Sequence, residues 1–323
     1  MQSRIFRVFA GIIAVLWLSG CVSTPQSREV IGEYKHPSPG STALTSRVLL
    51  DNVPFFPQEA YQCGPAALAT VLQAAQVSVT PDALVSQVYV PARQGSLQIE
   101  MLAAARRHDR IAHTLPPDLE SVLAQVQAGK PVLVMQNLGL SWYPQWHYAV
   151  VVGYDLAQEE LTLRSGLVRD YRVRLPVFER TWQRAGHWAV VLLAPGELPE
   201  DGREDAYVHS VNDFAQSAAD TELASAYEAG LRRWPQSRLL GMALANLNYA
   251  QGDLKAARTL YLHVTQVAPD YAAAHNNLAQ TLLDLGEYEA ARTHARLAVG
   301  LGGSFSATYE KTLDAIEKRI GER

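Results

Sequence analysis

Cys63 stands in the run Gln58-Glu59-Ala60-Tyr61-Gln62-Cys63-Gly64-Pro65-Ala66. Gly64 and Pro65 place it at the entrance of a helix, because proline is tolerated in a first turn and the apolar periodicity begins just after it. A thiol there sits beside unpaired backbone N–H groups and the positive end of the helix dipole, which favour the thiolate, the reactive form. The same N–H groups can donate to a developing oxyanion, and Gln58, five residues upstream, offers a side-chain donor for the same task. Such a nucleophile needs a base that takes its proton and later returns it to the leaving amine. His147 opens the run His147-Tyr148-Ala149-Val150-Val151-Val152-Gly153-Tyr154, where a strand backbone would hold it rigidly. His187, at the start of His187-Trp188-Ala189-Val190-Val191, is its rival. Without such a partner a lone Cys reads as a small buried hydrophobe.

These residues must be positioned by the segment from Leu49 to about Ala194. Helical spacing of apolar residues covers 66–75, 97–107 and 119–128. Val- and Leu-rich runs at 132–135, 148–154, 160–164, 171–175 and 188–193, separated by Gly, Asp or Pro, read as strands. Helices first and short strands afterwards predict an α+β domain with an antiparallel sheet. Trp142, Tyr143 and Trp146 form an aromatic loop just before His147 and line a cleft or cover the core.

A nucleophile at a helix N-terminus facing a His on a strand, with Cys before His in the chain, is the arrangement of papain-like peptidases. Residues 53–195 resemble the papain-like cysteine peptidases related to the bacteriocin-processing, double-glycine leader peptidases. The resemblance is carried by Gln58 before Cys63-Gly64-Pro65-Ala66 and by the strand His147–Tyr154. It implies Cys63 as nucleophile, His147 as base and Gln58 as oxyanion-hole helper. The family places an Asp on the strand after the His strand to orient the imidazole, and that position falls here at Ser165, in Leu163-Arg164-Ser165-Gly166. A Ser accepts a hydrogen bond from an imidazole N–H but brings no charge to stabilise the imidazolium. Asp155, at the end of the His strand, is the candidate substitute, and equally a turn residue.

Everything after about residue 218 is Ala- and Leu-rich and repeats. Gly252 and Gly286, Ala245 and Ala279, Asn246 and Gln280, Leu254 and Tyr288, and Ala257 and Ala291 are each 34 residues apart, with Pro235 and Pro269, and Tyr227 and Tyr261, extending the period backwards. That period, with small residues at helix crossings, is the tetratricopeptide (TPR) signature and predicts an all-α helical-repeat domain closed by a capping helix near 307–319. Such a domain presents a concave surface to a protein partner.

At the other end, Arg4 and Arg7 precede an apolar run from Val8 to Leu18, then Leu18-Ser19-Gly20-Cys21. The layout is that of a secretory signal, and its ending resembles the lipobox of bacterial lipoproteins, which implies lipidation of Cys21 and a membrane held through acyl chains. Val22 is not the Asp that retains such proteins at the inner membrane, so the implied location is the bacterial cell envelope, at the outer membrane facing the periplasm. Removing residues 1–20 takes away Arg4 and Arg7 and no acid, moving the formal charge from −4 to −6, which disfavours nucleic acid as a partner. With Cys21 acylated, Cys63 has no disulfide partner. No metal-ligand spacing or glycine-rich phosphate loop occurs, so neither metal nor cofactor is expected.

The expected organisation is a signal peptide (1–20), a lipidated flexible tether (21–47), a papain-like domain (48–196), a polar linker (197–218) and a TPR domain (219–323). The expected activity is cleavage of an exported peptide or protein by a Cys-His pair. The alternatives are a catalytically inactive lipid-anchored peptide-binding scaffold, and acyl transfer to an amine instead of water.

Overall fold

The computed structural model describes residues 23–38, 44–57 and 62–322. In chain order the first elements are α1 (Pro25–Lys35), β1 (Arg47–Leu49), α2 (Cys63–Ala74), α3 (Pro81–Val88), β2 (Tyr89–Val90), β3 (Gly95–Ser96), α4 (Gln98–Arg107) and β4 (Ile111–Thr114). They are followed by α5 (Leu119–Gln127), β5 (Val132–Asn137), β6 (Trp146–Asp155), β7 (Glu160–Ser165), β8 (Val168–Arg174), α6 (Leu175–Gln183) and β9 (Ala189–Leu193). The sheet order is β4-β9-β5-β6-β7-β8, with β1 also paired to β6, and every pairing is antiparallel.

Helices cover both faces of the middle of this sheet, which explains why its central strands β5, β6 and β9 are apolar along most of their length rather than alternating. Tyr148, Val150 and Val152 of β6 join Leu133, Val190 and Leu192 in one core, under Leu68, Leu72 and Met101. Ala149 and Val151 join Val132, Val134, Val191 and Leu193 in the other, under Val122, Phe178 and Trp182. The site strand is therefore clamped from above and below.

The helical part comprises α7 (Glu204–Phe214), α8 (Asp220–Arg233), α9 (Arg238–Ala250), α10 (Leu254–Val267), α11 (Ala272–Asp284), α12 (Tyr288–Leu301) and α13 (Ser306–Gly321). Ala245, Ala257, Ala279 and Ala291, spaced by the 34-residue period, are all fully buried where the helices cross. Gly252 (φ 81°) and Gly286 (φ 80°) turn the chain between paired helices in the left-handed region, which glycine enters at no steric cost.

Two expectations for irregular segments are corrected. In place of a flexible tether over 21–47, residues 25–35 form a docked helix with Ser27, Val30 and Ile31 buried. The carboxylate of buried Glu179 in α6 accepts from the backbone N–H of Gln26 (3.1 Å) and Ser27 (2.7 Å) and from the Ser27 hydroxyl (2.5 Å), satisfying N–H groups that a helix start leaves free. In place of a linker over 197–218, α7 buries Tyr207, Val208, Val211 and Phe214 in the core that also holds Ile111 of β4 and Tyr227 of α8. Fully buried His113 of β4 fixes this junction, its Nε2 lying 2.7 Å from Asp201 Oδ2 and its Nδ1 3.0 Å from Ser210 Oγ. The core on one face of the sheet thus continues into α7, α8 and one face of α9, while the repeats beyond pack around a core of their own.

Candidate active site

Cys63 is the first residue of α2, whose following residues Gly64 to Leu72 are all buried. Strand β3 lies against the first turn of this helix. A Cβ on Gly64 would meet Ser96 Oγ at 2.1 Å and Ser96 Cβ at 2.5 Å. Gly64→Ala is therefore expected to push β3 away and to destabilise the fold by about 1–3 kcal/mol, read as a lower midpoint in denaturant unfolding.

His147 is the second residue of β6, in register with Gln136 of β5. Gln136 Nε2 donates to Thr181 Oγ1 at 2.6 Å, so the backbone beneath the imidazole is fixed from α6. His147 Nε2 lies 2.8 Å from Ser165 Oγ, at the end of β7. The position read from the sequence as the orienting one thus meets the imidazole through a hydroxyl. In the tautomer whose Nε2–H donates to that oxygen, Nδ1 carries the free lone pair.

Cys63 and His147 line one cavity of about 820 Å³, together with Ser96, Met135, Trp146 and Tyr148. Burial pushes the Cys63 thiol up, while backbone N–H groups of Tyr148, Gly64 and Cys63 itself pull it down less strongly. Burial also pushes His147 down. Desolvation thus opposes the thiolate that the helix terminus favours, and it is the larger of the two effects. Both directions favour a neutral thiol beside a neutral imidazole.

Asp155 does not orient the imidazole. It lies eight residues along β6 from His147, roughly 26 Å at strand spacing, and its Oδ1 accepts from Gln158 N at 3.0 Å in the turn to β7. His187 is also removed from the cavity lining; its ring meets Trp182 edge-on at 4.7 Å. Gln58 and Cys21 lie outside the described residues.

Arg164 is a positioning residue that sequence reasoning passed over. It is 2% exposed, next to Ser165, and donates to the carbonyls of Val53 (3.2 and 3.1 Å), Leu50 (3.4 Å) and Arg169 (2.9 Å), and to Asp170. It ties the strand bearing Ser165 to the segment that leads towards Cys63. Its signal in the sequence is weak: a basic residue that alternates with Leu161 and Leu163 along a short strand. Among the described residues no group of three or more His, Cys, Asp and Glu side chains is placed to hold a metal ion.

Comparison with known proteins gives two family matches: the Peptidase_C39 like family over residues 50–190 and a tetratricopeptide repeat over residues 248–298. A search of the curated proteins found no match. Among solved structures the chain is similar to a Bacillus anthracis protein described as a C39-like peptidase, at 22% identity over 46% of this chain and 98% of that one, with a TM-score of 0.40. The type III secretion translocator chaperone SycD of Yersinia enterocolitica matches at 18% identity over 36% of this chain and 85% of its own, with a TM-score of 0.34. The Sgt2 TPR domain of Aspergillus fumigatus matches at 20% identity over 37% and 80%, with a TM-score of 0.34.

Proposed function

We propose that this chain, in which a Peptidase_C39-like domain at residues 50–190 precedes a tetratricopeptide repeat, is a cysteine peptidase that cleaves peptide bonds of an exported peptide or protein. The observation that carries this reading is a single cavity walled by Cys63, at a helix N-terminus, and by His147, oriented at 2.8 Å by Ser165.

Nδ1 of His147 takes the Sγ proton as sulfur attacks the substrate carbonyl carbon, so the ion pair forms during attack rather than before it. The backbone N–H groups at the start of α2, and Gln58 by resemblance, donate to the oxyanion. The tetrahedral intermediate expels the amine, which receives the proton from His147. Water, deprotonated by the same imidazole, then releases the acid from the thioester. An amine in place of water gives acyl transfer at the same site.

The remaining parts of the reading concern placement. Cys21 carries the lipid anchor, and the envelope location is the outer membrane with the domain facing the periplasm. The repeats present a protein-binding surface for the substrate or a partner. A second reading, an inactive peptide-binding scaffold, is favoured by one specific feature: Ser165 gives the imidazole no negative charge, while burial disfavours the charged forms of Cys63 and His147.

The two readings part on a diverse peptide library incubated with the chain from residue 22 and followed by mass spectrometry. New termini that appear with the wild type and vanish with Cys63→Ala are expected for the peptidase. A folded wild type that yields no termini beyond those of Cys63→Ala leaves the scaffold.

A further inference from the structure

The turn from β5 to β6, Leu138-Gly139-Leu140-Ser141-Trp142-Tyr143-Pro144-Gln145-Trp146, contains no charged residue. Leu138, Leu140, Tyr143 and Trp146 are all more than half exposed, and Trp142 is 80% exposed. Apolar side chains concentrated in this way mark a surface that meets something apolar. The turn is also built to hold them outward. Oδ1 of buried Asn137 accepts from Gly139 N (3.0 Å) and Gln145 N (2.9 Å), and Leu140 and Tyr143 exchange backbone hydrogen bonds at 3.1 Å. Arg184 Nε and Nη2 hold the Asn137 carbonyl at 3.2 and 3.0 Å.

The course of α1 says what this turn meets. Helix α6 starts beside Glu159, where Leu175 N donates to Glu159 O at 2.8 Å, and ends beside Asn137, through Arg184. Helix α1 runs the opposite way. Its last residue, Lys35, pairs with Glu159 at 3.2 Å, and its first turn sits on Glu179, midway along α6. Gln26 also bonds Pro117 O (3.0 Å) and Leu119 N (2.7 Å), just after Leu115, which donates to Ala189 O opposite Val134 in the middle of β5. The N-terminus of α1 therefore points to the end of the sheet that carries the aromatic turn. Cys21 is three residues before Thr24, the N-cap, a separation of at most about 11 Å.

We propose that the Leu138–Trp146 turn is a second membrane contact, its Trp, Tyr and Leu side chains seated in the lipid headgroup interface on the side from which the N-terminal anchor enters. This rests on the anchored-Cys21 part of the reading above and not on catalysis. Trp and Tyr suit that interface because each joins an apolar ring to a polar tip. Trp146 also lines the Cys63 cavity, so the seated turn brings the cleft to the membrane surface.

The test uses the chain from residue 22, which retains every described residue, with vesicles of phosphatidylethanolamine and phosphatidylglycerol carrying brominated acyl chains. Tryptophan fluorescence of the wild type is expected to be quenched as lipid is added. The Trp142→Ser, Tyr143→Ser double variant, with unchanged melting temperature, is expected to partition about tenfold less. Absence of quenching in the wild type, or equal partitioning of the double variant, overturns the proposal. Equal partitioning with loss of peptide cleavage overturns it in favour of a substrate contact. Because this chain lacks Cys21, vesicle binding is read without the anchor, while the mass of the N-terminal residue in membrane-extracted full-length protein tests the anchor separately.

Discussion

Replacing His147 with Ala is expected to slow acylation of Cys63 by a peptidyl electrophile about 10²–10⁴-fold at neutral pH. The size follows from the resting state of the pair. Burial raises the thiol, so at neutral pH less thiolate is present than for an ordinary cysteine, and attack depends on a base that removes the proton as the new bond forms. His147 is the imidazole on the cavity wall, and among the described residues no second histidine lines it. The substitution removes a half-buried ring at the mouth of β6, outside the two cores that cover the sheet, so the melting temperature should move little. A rate within a few-fold of wild type would assign the proton to another acceptor.

Ser165→Asp is expected to move the pH profile of Cys63 alkylation down by about 1–3 units. The sign follows from the partner of Nε2. A carboxylate 165 favours the protonated imidazole, raising a His147 that burial now pushes down, and the imidazolium in turn favours the thiolate. Reactivity lost on acidification in the wild type should thus persist to lower pH in the variant, and peptide cleavage should accelerate with it. Ser165→Ala keeps the site neutral and should leave the midpoint near that of the wild type, which separates charge from any change of packing. An unshifted Ser165→Asp profile would mean that the hydroxyl orients the ring without coupling to its proton.

Much of this was legible in residue order. The unbroken apolar run of β6 announced a strand covered on both faces, and its first inward-opening polar residue is His147. The 34-residue spacing of Gly252 and Gly286 gave the helical array because each glycine must turn the chain at the same point of a repeat. Ser165 was found by counting along β7 from the strand before it. The helix α1 was missed because only Ser27, Val30 and Ile31 are buried, too few to print an apolar period. In α7 the period is present at Tyr207, Val208, Val211 and Phe214, but Pro195, Gly196, Pro199 and Gly202 upstream outweighed it. The thiol's direction differs for a tertiary reason: the helix dipole is local and visible, whereas the burial that opposes it is set by the packing of the folded chain.

The central claim is that Cys63 and His147 rest as a neutral pair and exchange a proton only during attack. The direct measurement is the rate of Cys63 alkylation by a small uncharged reagent against pH, on the chain from residue 22, where Cys63 is the one remaining thiol. A neutral pair predicts an inflection above that of an ordinary thiol, little altered by His147→Ala. An inflection well below neutral pH that collapses in His147→Ala would contradict it and reveal a preformed thiolate–imidazolium pair.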